Sequence, residues 1–247
     1  MSIKIDRLLS RAKKLNKKGQ FKEAKKIYQD ILESFPSNKE AKIGLVELNQ
    51  NKETKPNKNQ LEALVDLHKT GEFQKALFVI DDLIKTYDND PFLFNIKGSC
   101  LCETGDLNNS IISFEKAITL KPDYAEALFN LGVAYQKLNQ SDMAIETYEK
   151  ALVFQHAYPA AHHNLGIIYF NKNQLSSAIK SFEWAVAYSP NYSEAYYSLG
   201  SAFQKNRQFQ EAKKHFEKAI SVNPNYAQAY ESLGILCEII NLRNEAV

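Results

Sequence analysis

The stretch that decides the fold is "AEALFNLGVAYQKLNQ", Ala125 to Gln140. Leu128, Leu131, Gly132 and Tyr135 stand at i, i+3, i+4 and i+7, so they share one face of a helix. The pattern returns as "PAAHHNLGIIYFNKNQ" from Pro159, "SEAYYSLGSAFQKNRQ" from Ser193 and "AQAYESLGILCEIINL" from Ala227. Each start lies 34 residues after the last. A fixed period of this length marks a stacked array of helical units. Read backwards, the register gives units at 91–124 and 57–90, and an earlier one at 5–38. Residues 39–56 supply one further helix, roughly Lys39 to Asn49, and the start of a polar connector, "NKETKPNKN".

Each unit reads as two helices. In 125–158 the second carries Ala144, Ile145, Tyr148, Ala151 and Leu152 on one face. Between the helices, Asn139 stands where other units have Gly19, Gly71 and Gly105. A turn there needs a residue that tolerates positive φ, and Gly or Asn does so at least cost. Arg207 departs from this pattern. The second helices end before Pro36, Pro122, Pro190 and Pro224, because proline cannot continue a helix. His156 takes that place in one unit. Gly132, Gly166, Gly200 and Gly234 mark where the first helix must approach its partner closely, with Ala144, Ala178 and Ala212 as the matching small residues. Lys97 stands where later units have leucine.

These residues resemble the tetratricopeptide repeat, over about 220 of the 247 residues. The resemblance implies an all-α solenoid, a right-handed superhelix of helix-turn-helix units with a concave groove lined mainly by first helices. The expected organisation is a basic unit, extra helix and connector at 1–56. A continuous array follows at 57–247, with units 57–90, 91–124, 125–158, 159–192, 193–226 and an incomplete 227–247. The arrangement is also similar to the N-terminal repeat region of bacterial multi-repeat proteins, which often continue into a sulfo-, methyl- or glycosyltransferase domain. The last unit stops just after Ala246, where a second helix would open its core face. No polar capping helix follows, so the chain reads as a fragment of a longer protein, and its uncapped end is open to self-association.

Composition narrows the function. No run of about 18 apolar residues exists, which argues against membrane insertion. Three cysteines without framework spacing fit a reducing compartment, and the reading is cytoplasmic. Residues 1–58 carry 15 Lys or Arg against 7 Asp or Glu, whereas 59–247 carry 16 against 22. The lysines Lys13, Lys14, Lys17, Lys18, Lys25 and Lys26 cluster but lack interleaved aromatics, which argues against nucleic acid. Enzyme signatures are absent: no Gly-rich phosphate loop, no H-E-x-x-H and no G-x-S-x-G. Cys100 and Cys102, two apart on a helix, point away from each other and make a poor metal clip. No catalytic residue, metal site or cofactor is expected.

What remains is recognition of a protein or extended peptide. With the core face of each first helix fixed, helical spacing gives the opposite, groove-lining face. It holds Phe129, Asn130, Gln136 and Lys137; then His163, Asn164, Phe170 and Asn171; then Tyr197, Ser198, Gln204 and Lys205. Rings interleaved with amides and hydroxyls suit an extended peptide backbone and its side chains. Asn130 and Asn164 match rungs of the asparagine ladder of some family members, but Ser198 and Ser232 replace the next two. The Lys/Arg/Asn clamp of chaperone-tail binders is not matched, since Val133 and Ile167 stand where it needs asparagine. The pair His162–His163 divides: neighbours on a helix lie about 100° apart, so His162 joins the core and His163 the groove. The expected function is a peptide-binding scaffold. The alternative is the substrate-recruiting arm of a larger transferase.

Overall fold

The structure is a computed structural model that describes residues 2–18, 20–50 and 55–245. The turn expected at Gly19, connector residues 51–54 and the helix face expected to open at Ala246 lie outside the described residues. The chain divides into two compact bodies, Met1–Lys58 and Asn59–Val247. The first holds α1 (Ser2–Lys17), α2 (Phe21–Ser34) and α3 (Lys39–Gln50). The second begins with α4 (Lys58–Lys69), α5 (Phe73–Ile84), α6 (Pro91–Glu103), α7 (Leu107–Leu120) and α8 (Ala125–Lys137). It continues with α9 (Ser141–Phe154), α10 (Pro159–Asn171), α11 (Leu175–Tyr188), α12 (Ser193–Lys205), α13 (Phe209–Val222) and α14 (Ala227–Glu245). No strand occurs among the described residues, and the chain is an all-α repeat solenoid.

The repeat is visible in the packing. Within units, α6 packs on α7, α8 on α9, α10 on α11 and α12 on α13. Each second helix then packs on the next first helix. One apolar cluster runs from Phe114 through Leu131, Tyr148 and Leu165 to Ile168, so neighbouring units share a core. Such sharing is why a single unit cannot bury its apolar face alone.

Gly98, Gly132, Gly166 and Gly200 each receive an aromatic ring from the second helix. A methyl added at Gly166 would lie 2.5 Å from Phe182, and one at Gly132 2.6 Å from Tyr148. The ring and the missing side chain form one volume-matched pair. In unit 57–90 the same positions hold Leu64 and Ile80, both fully buried, which fill the space from both sides. In unit 5–38 they hold Ala12 and Tyr28, likewise fully buried.

Each turn between the helices closes in one way. Asn139, Asn173 and Arg207 have φ near 60° (59°, 59° and 60°), and Gly71 and Gly105 also lie at positive φ. The next N–H reaches back to the first helix, as Gln140 N to Tyr135 O at 2.9 Å, and Gln208 N to Phe203 O at 2.9 Å. This six-to-one bond satisfies carbonyls that the helix end leaves open. Arg207 adopts the left-handed conformation at a cost that glycine avoids. Arg207→Gly is therefore expected to raise the thermal midpoint, with a stabilisation of about 0.5–1 kcal/mol. An unchanged or lower midpoint would show that the arginine side chain compensates.

Two departures from the repeat have local causes. Lys97, in the leucine position, is half-buried and pairs with Asp81 on α5 at 2.7 Å. At the other end, the register expects a turn near Asn241 and then a second helix. Instead α14 runs unbroken from Ala227 to Glu245. A reversal gains stability only when a returning helix covers the first. Gly234 accordingly has no atom within 4 Å of an added methyl, and Ile235 and Tyr230 are half exposed. Cys237 on the same helix is partly exposed.

Candidate functional site

The first helices meet one another as well as their partners: α6 approaches α8, and α10 approaches α12. They form a row whose outward side chains divide into two classes. Those early in each helix reach the neighbouring unit, and those later in the helix stay open.

The early class contains Phe129, Asn130, His163, Asn164, Tyr197 and Ser198. Phe129 tilts against Tyr158 of its own unit's end, centroids 4.8 Å apart. Asn130 donates its amide to Asn95 Oδ1 at 3.0 Å, and fully buried Asn95 donates to the Tyr124 hydroxyl and the Glu126 carboxylate. Asn164 donates to the Tyr148 hydroxyl at 3.1 Å, and that hydroxyl donates to Gln136 Oε1 at 2.9 Å. Tyr197 packs on Tyr226 at 5.2 Å, and its hydroxyl lies 3.4 Å from Ser232 Oγ.

His163 departs from its expected place. Helical spacing puts it in the open groove, whereas the structure buries it at 8% exposure. Its ring lies between Phe182 and Tyr192, and its nitrogens hydrogen-bond Ser198 Oγ at 3.0 Å and the Tyr192 hydroxyl at 3.2 Å. A neutral imidazole meets both with one donor and one acceptor. The spacing argument treats one helix alone, but the next unit closes over this side chain. His162 is buried on the other side, stacked on Trp184 and Tyr188, and bonds the His156 carbonyl at 3.0 Å. The two imidazoles thus have separate surroundings. Among the described residues, no group of three His, Cys, Asp or Glu side chains could hold a metal ion.

Burial lowers the pKa values of His162, His163 and His215 below their ordinary 6.5. Folding therefore holds these rings neutral, and the unfolded chain binds more protons in acid. That stability is complete above the unfolded value and is lost as pH falls from there through the lowered folded values. Thermal melts should show a lower midpoint near pH 5 than near pH 7.5. A midpoint that rises on acidification would contradict the neutral, buried assignment.

The late class is the accessible one. Lys137 and Lys205 are exposed, Asn171 is exposed, and Gln136, Phe170 and Gln204 are half-buried. Lys137 pairs with Glu103 of the preceding unit at 3.3 Å. Lys205 lies 4.5 Å over the Phe170 ring and donates to its carbonyl at 3.4 Å. Upstream, α4, α6 and α8 share a cavity of about 300 Å³, lined in part by His68, Ser99, Cys102, Glu103, Asn130 and Val133. His68 Nε2 is buried there without a hydrogen-bond partner. Sequence reading missed His68, Ser99, Cys102 and Glu103 as wall residues. The signal was present: Cys102 and His68 lie one and two periods of 34 before Gln136.

Comparisons with known proteins agree with the repeat fold. A family model described as a tetratricopeptide repeat matches residues 125–157 and 193–226. One described as a TPR repeat matches 98–139 and 168–206, and a further tetratricopeptide-repeat model matches 8–38. Together these span more than half of the chain. DnaJ homolog subfamily C member 3 of Gallus gallus is 24% identical over 137 residues, 56% of this chain and 27% of that protein. Protein CTR9 homolog of Arabidopsis thaliana is 34% identical over 83 residues, 32% of this chain and 8% of that protein. The matches thus take in about a quarter or less of these relatives' lengths. The crystal structure of MamA is 26% identical at a TM-score of 0.60, covering 66% of this chain and 95% of that one. YrrB, described as a TPR protein with an unusual peptide-binding site, shares the fold at 16% identity and a TM-score of 0.58, covering 83% and 96%. Among the described residues no helix is long and apolar enough to cross a membrane.

Proposed function

The chain belongs to the tetratricopeptide-repeat family, and we propose that it is a protein-interaction scaffold holding an extended segment of another protein along its first-helix row. The observation that carries this reading is the cavity shared by α4, α6 and α8. Six of its wall residues come from the first helices of three successive units, and Phe73 and Phe114 of second helices close its floor. It continues a line of accessible side chains through Asn171, Gln204 and Lys205. Ser99, Asn130 and the unpartnered His68 Nε2 offer hydrogen-bonding groups to a peptide backbone, while Val133 offers apolar contact. Asn164, Phe170 and Lys137 extend the surface on either side. Phe129, His163, Tyr197 and Ser198 act mainly as joints that set the spacing between rows.

The reading is tested by selecting phage-displayed peptides against the whole chain and measuring their affinity for two variants. Ser99→Trp fills the cavity and should weaken selected peptides by about tenfold or more. Lys180→Trp, on the exposed side of α11, should leave them unchanged. Equal loss in both, or loss only in the second, would overturn the assignment.

A further inference from the structure

The Met1–Lys58 body carries a second recognition surface of different chemistry. A cavity of about 440 Å³ lies against α1 and α3, lined by Asp6, Leu9, Ser10, Lys13, Lys14, Lys17 and Glu40. In the repeat register, Lys13 and Lys17 occupy the places of Val133 and Lys137, so the cavity lies on the first-helix side. Lys13 pairs with Glu40 at 2.8 Å. Lys14 and Lys17 have no anionic partner among the described residues. The contrast with the later units is physical. There, Lys137 finds Glu103 and Lys205 finds the Phe170 ring and carbonyl, each in the unit before.

A second observation lies beside the same cavity. The Tyr148 hydroxyl of the array is bonded to Gln136 and Asn164. The matching Tyr28 is fully buried, and its hydroxyl has no hydrogen-bond partner. The register replaces Gln136 by the shorter Asn16, whose Oδ1 is also buried without a partner, and Asn164 by Gly44. Lys13 and Glu40, on the cavity rim, act electrostatically on that hydroxyl. The first-helix side of this body therefore has unused hydrogen-bonding capacity as well as uncompensated cations.

We propose that this cavity binds an acidic peptide segment of a partner protein, its carboxylates facing Lys14 and Lys17. Charge complementarity selects the occupant: residues 1–58 carry 15 basic against 7 acidic residues. Nucleic acid suits the cavity less well. Its wall has no aromatic ring to stack a base. Leu9 on the wall suits an apolar side chain among the acidic ones.

The test is fluorescence anisotropy on the full chain with a labelled peptide of alternating Glu and Leu. The matching Gln–Leu peptide and a labelled oligo-uridine serve as comparators. The acidic peptide should bind, its affinity should fall as salt rises, and Lys14→Glu with Lys17→Glu should weaken it about tenfold or more. Both lysines are exposed, so circular dichroism of the double variant should match the parent. Ser99→Trp should leave this peptide's affinity unchanged, which separates the site from the array cavity. The proposal is overturned if the acidic peptide fails to bind or the Gln–Leu peptide binds equally. It is also overturned if the lysine variants bind normally or oligo-uridine binds at least as tightly.

Discussion

Phe182→Ala should lower the unfolding free energy by about 3–5 kcal/mol. The ring is 2% exposed and belongs to a cluster with Ala178, Leu199, Ala202, Phe203 and Phe216. It fills the space above Gly166 and touches His163 at 5.5 Å between centroids. Removing it leaves a void walled by two packed helices, and alanines at 178 and 185 cannot expand into it. Both sides of the void lose dispersion contacts, and the His163 ring loses one wall. Urea unfolding followed by far-ultraviolet circular dichroism reads the loss. A change below about 1 kcal/mol would show that the neighbours collapse into the space and that the ring–glycine pairing is not what spaces these helices.

Gly166→Leu attacks the same pair from the other side. Its first added carbon would meet Phe182 Cδ1 and Cε1 at 2.5 Å, closer than atoms pack. Leaving glycine for a better helix former gains about 0.8–1 kcal/mol. Overpacking costs typically 1–3 kcal/mol, and leucine adds three further carbons beyond the clashing one. The cost wins, so the variant should be destabilised. Gly234→Ala provides the opposite sign. No atom lies within 4 Å of that methyl, so only the propensity gain of about 1 kcal/mol applies. If both variants were stabilised, close approach at glycine would not be the reason for its recurrence.

Most of this fold is legible in the sequence because one period governs it. Repetition at 34 residues gives Gly132, Gly166 and Gly200 one shared place of close approach, but it pairs them with Ala144, Ala178 and Ala212, whereas the rings of Tyr148, Phe182 and Phe216 lie nearest. Asn139 and Asn173 announce the left-handed turn by residue type, while Arg207 does so only through its place in the register. The candidate site is less legible. Helical spacing describes one helix in isolation, and it separates core from non-core faces correctly for His162. It cannot tell which non-core side chains the next unit covers. His163 therefore sits as a joint between units, while Gln204 and Asn171 remain accessible. Cys102 and His68 were hidden for a different reason. Their residue types differ from Gln136 and Phe170 at the same register position, so chemistry masked a shared location. The unbroken α14 likewise departs from the turn that the register places near Asn241.

The central claim is that partners dock on the first-helix row of the Asn59–Val247 body. It is tested most directly by placing a photo-crosslinking amino acid at single positions and irradiating the chain with a selected peptide. Ser99, Asn171 and Gln204 sample the row; Ile112, Lys180 and Lys214 sample exposed or open faces of second helices. The account predicts adducts from the first three and none from the others. Adducts confined to the second-helix positions would contradict it.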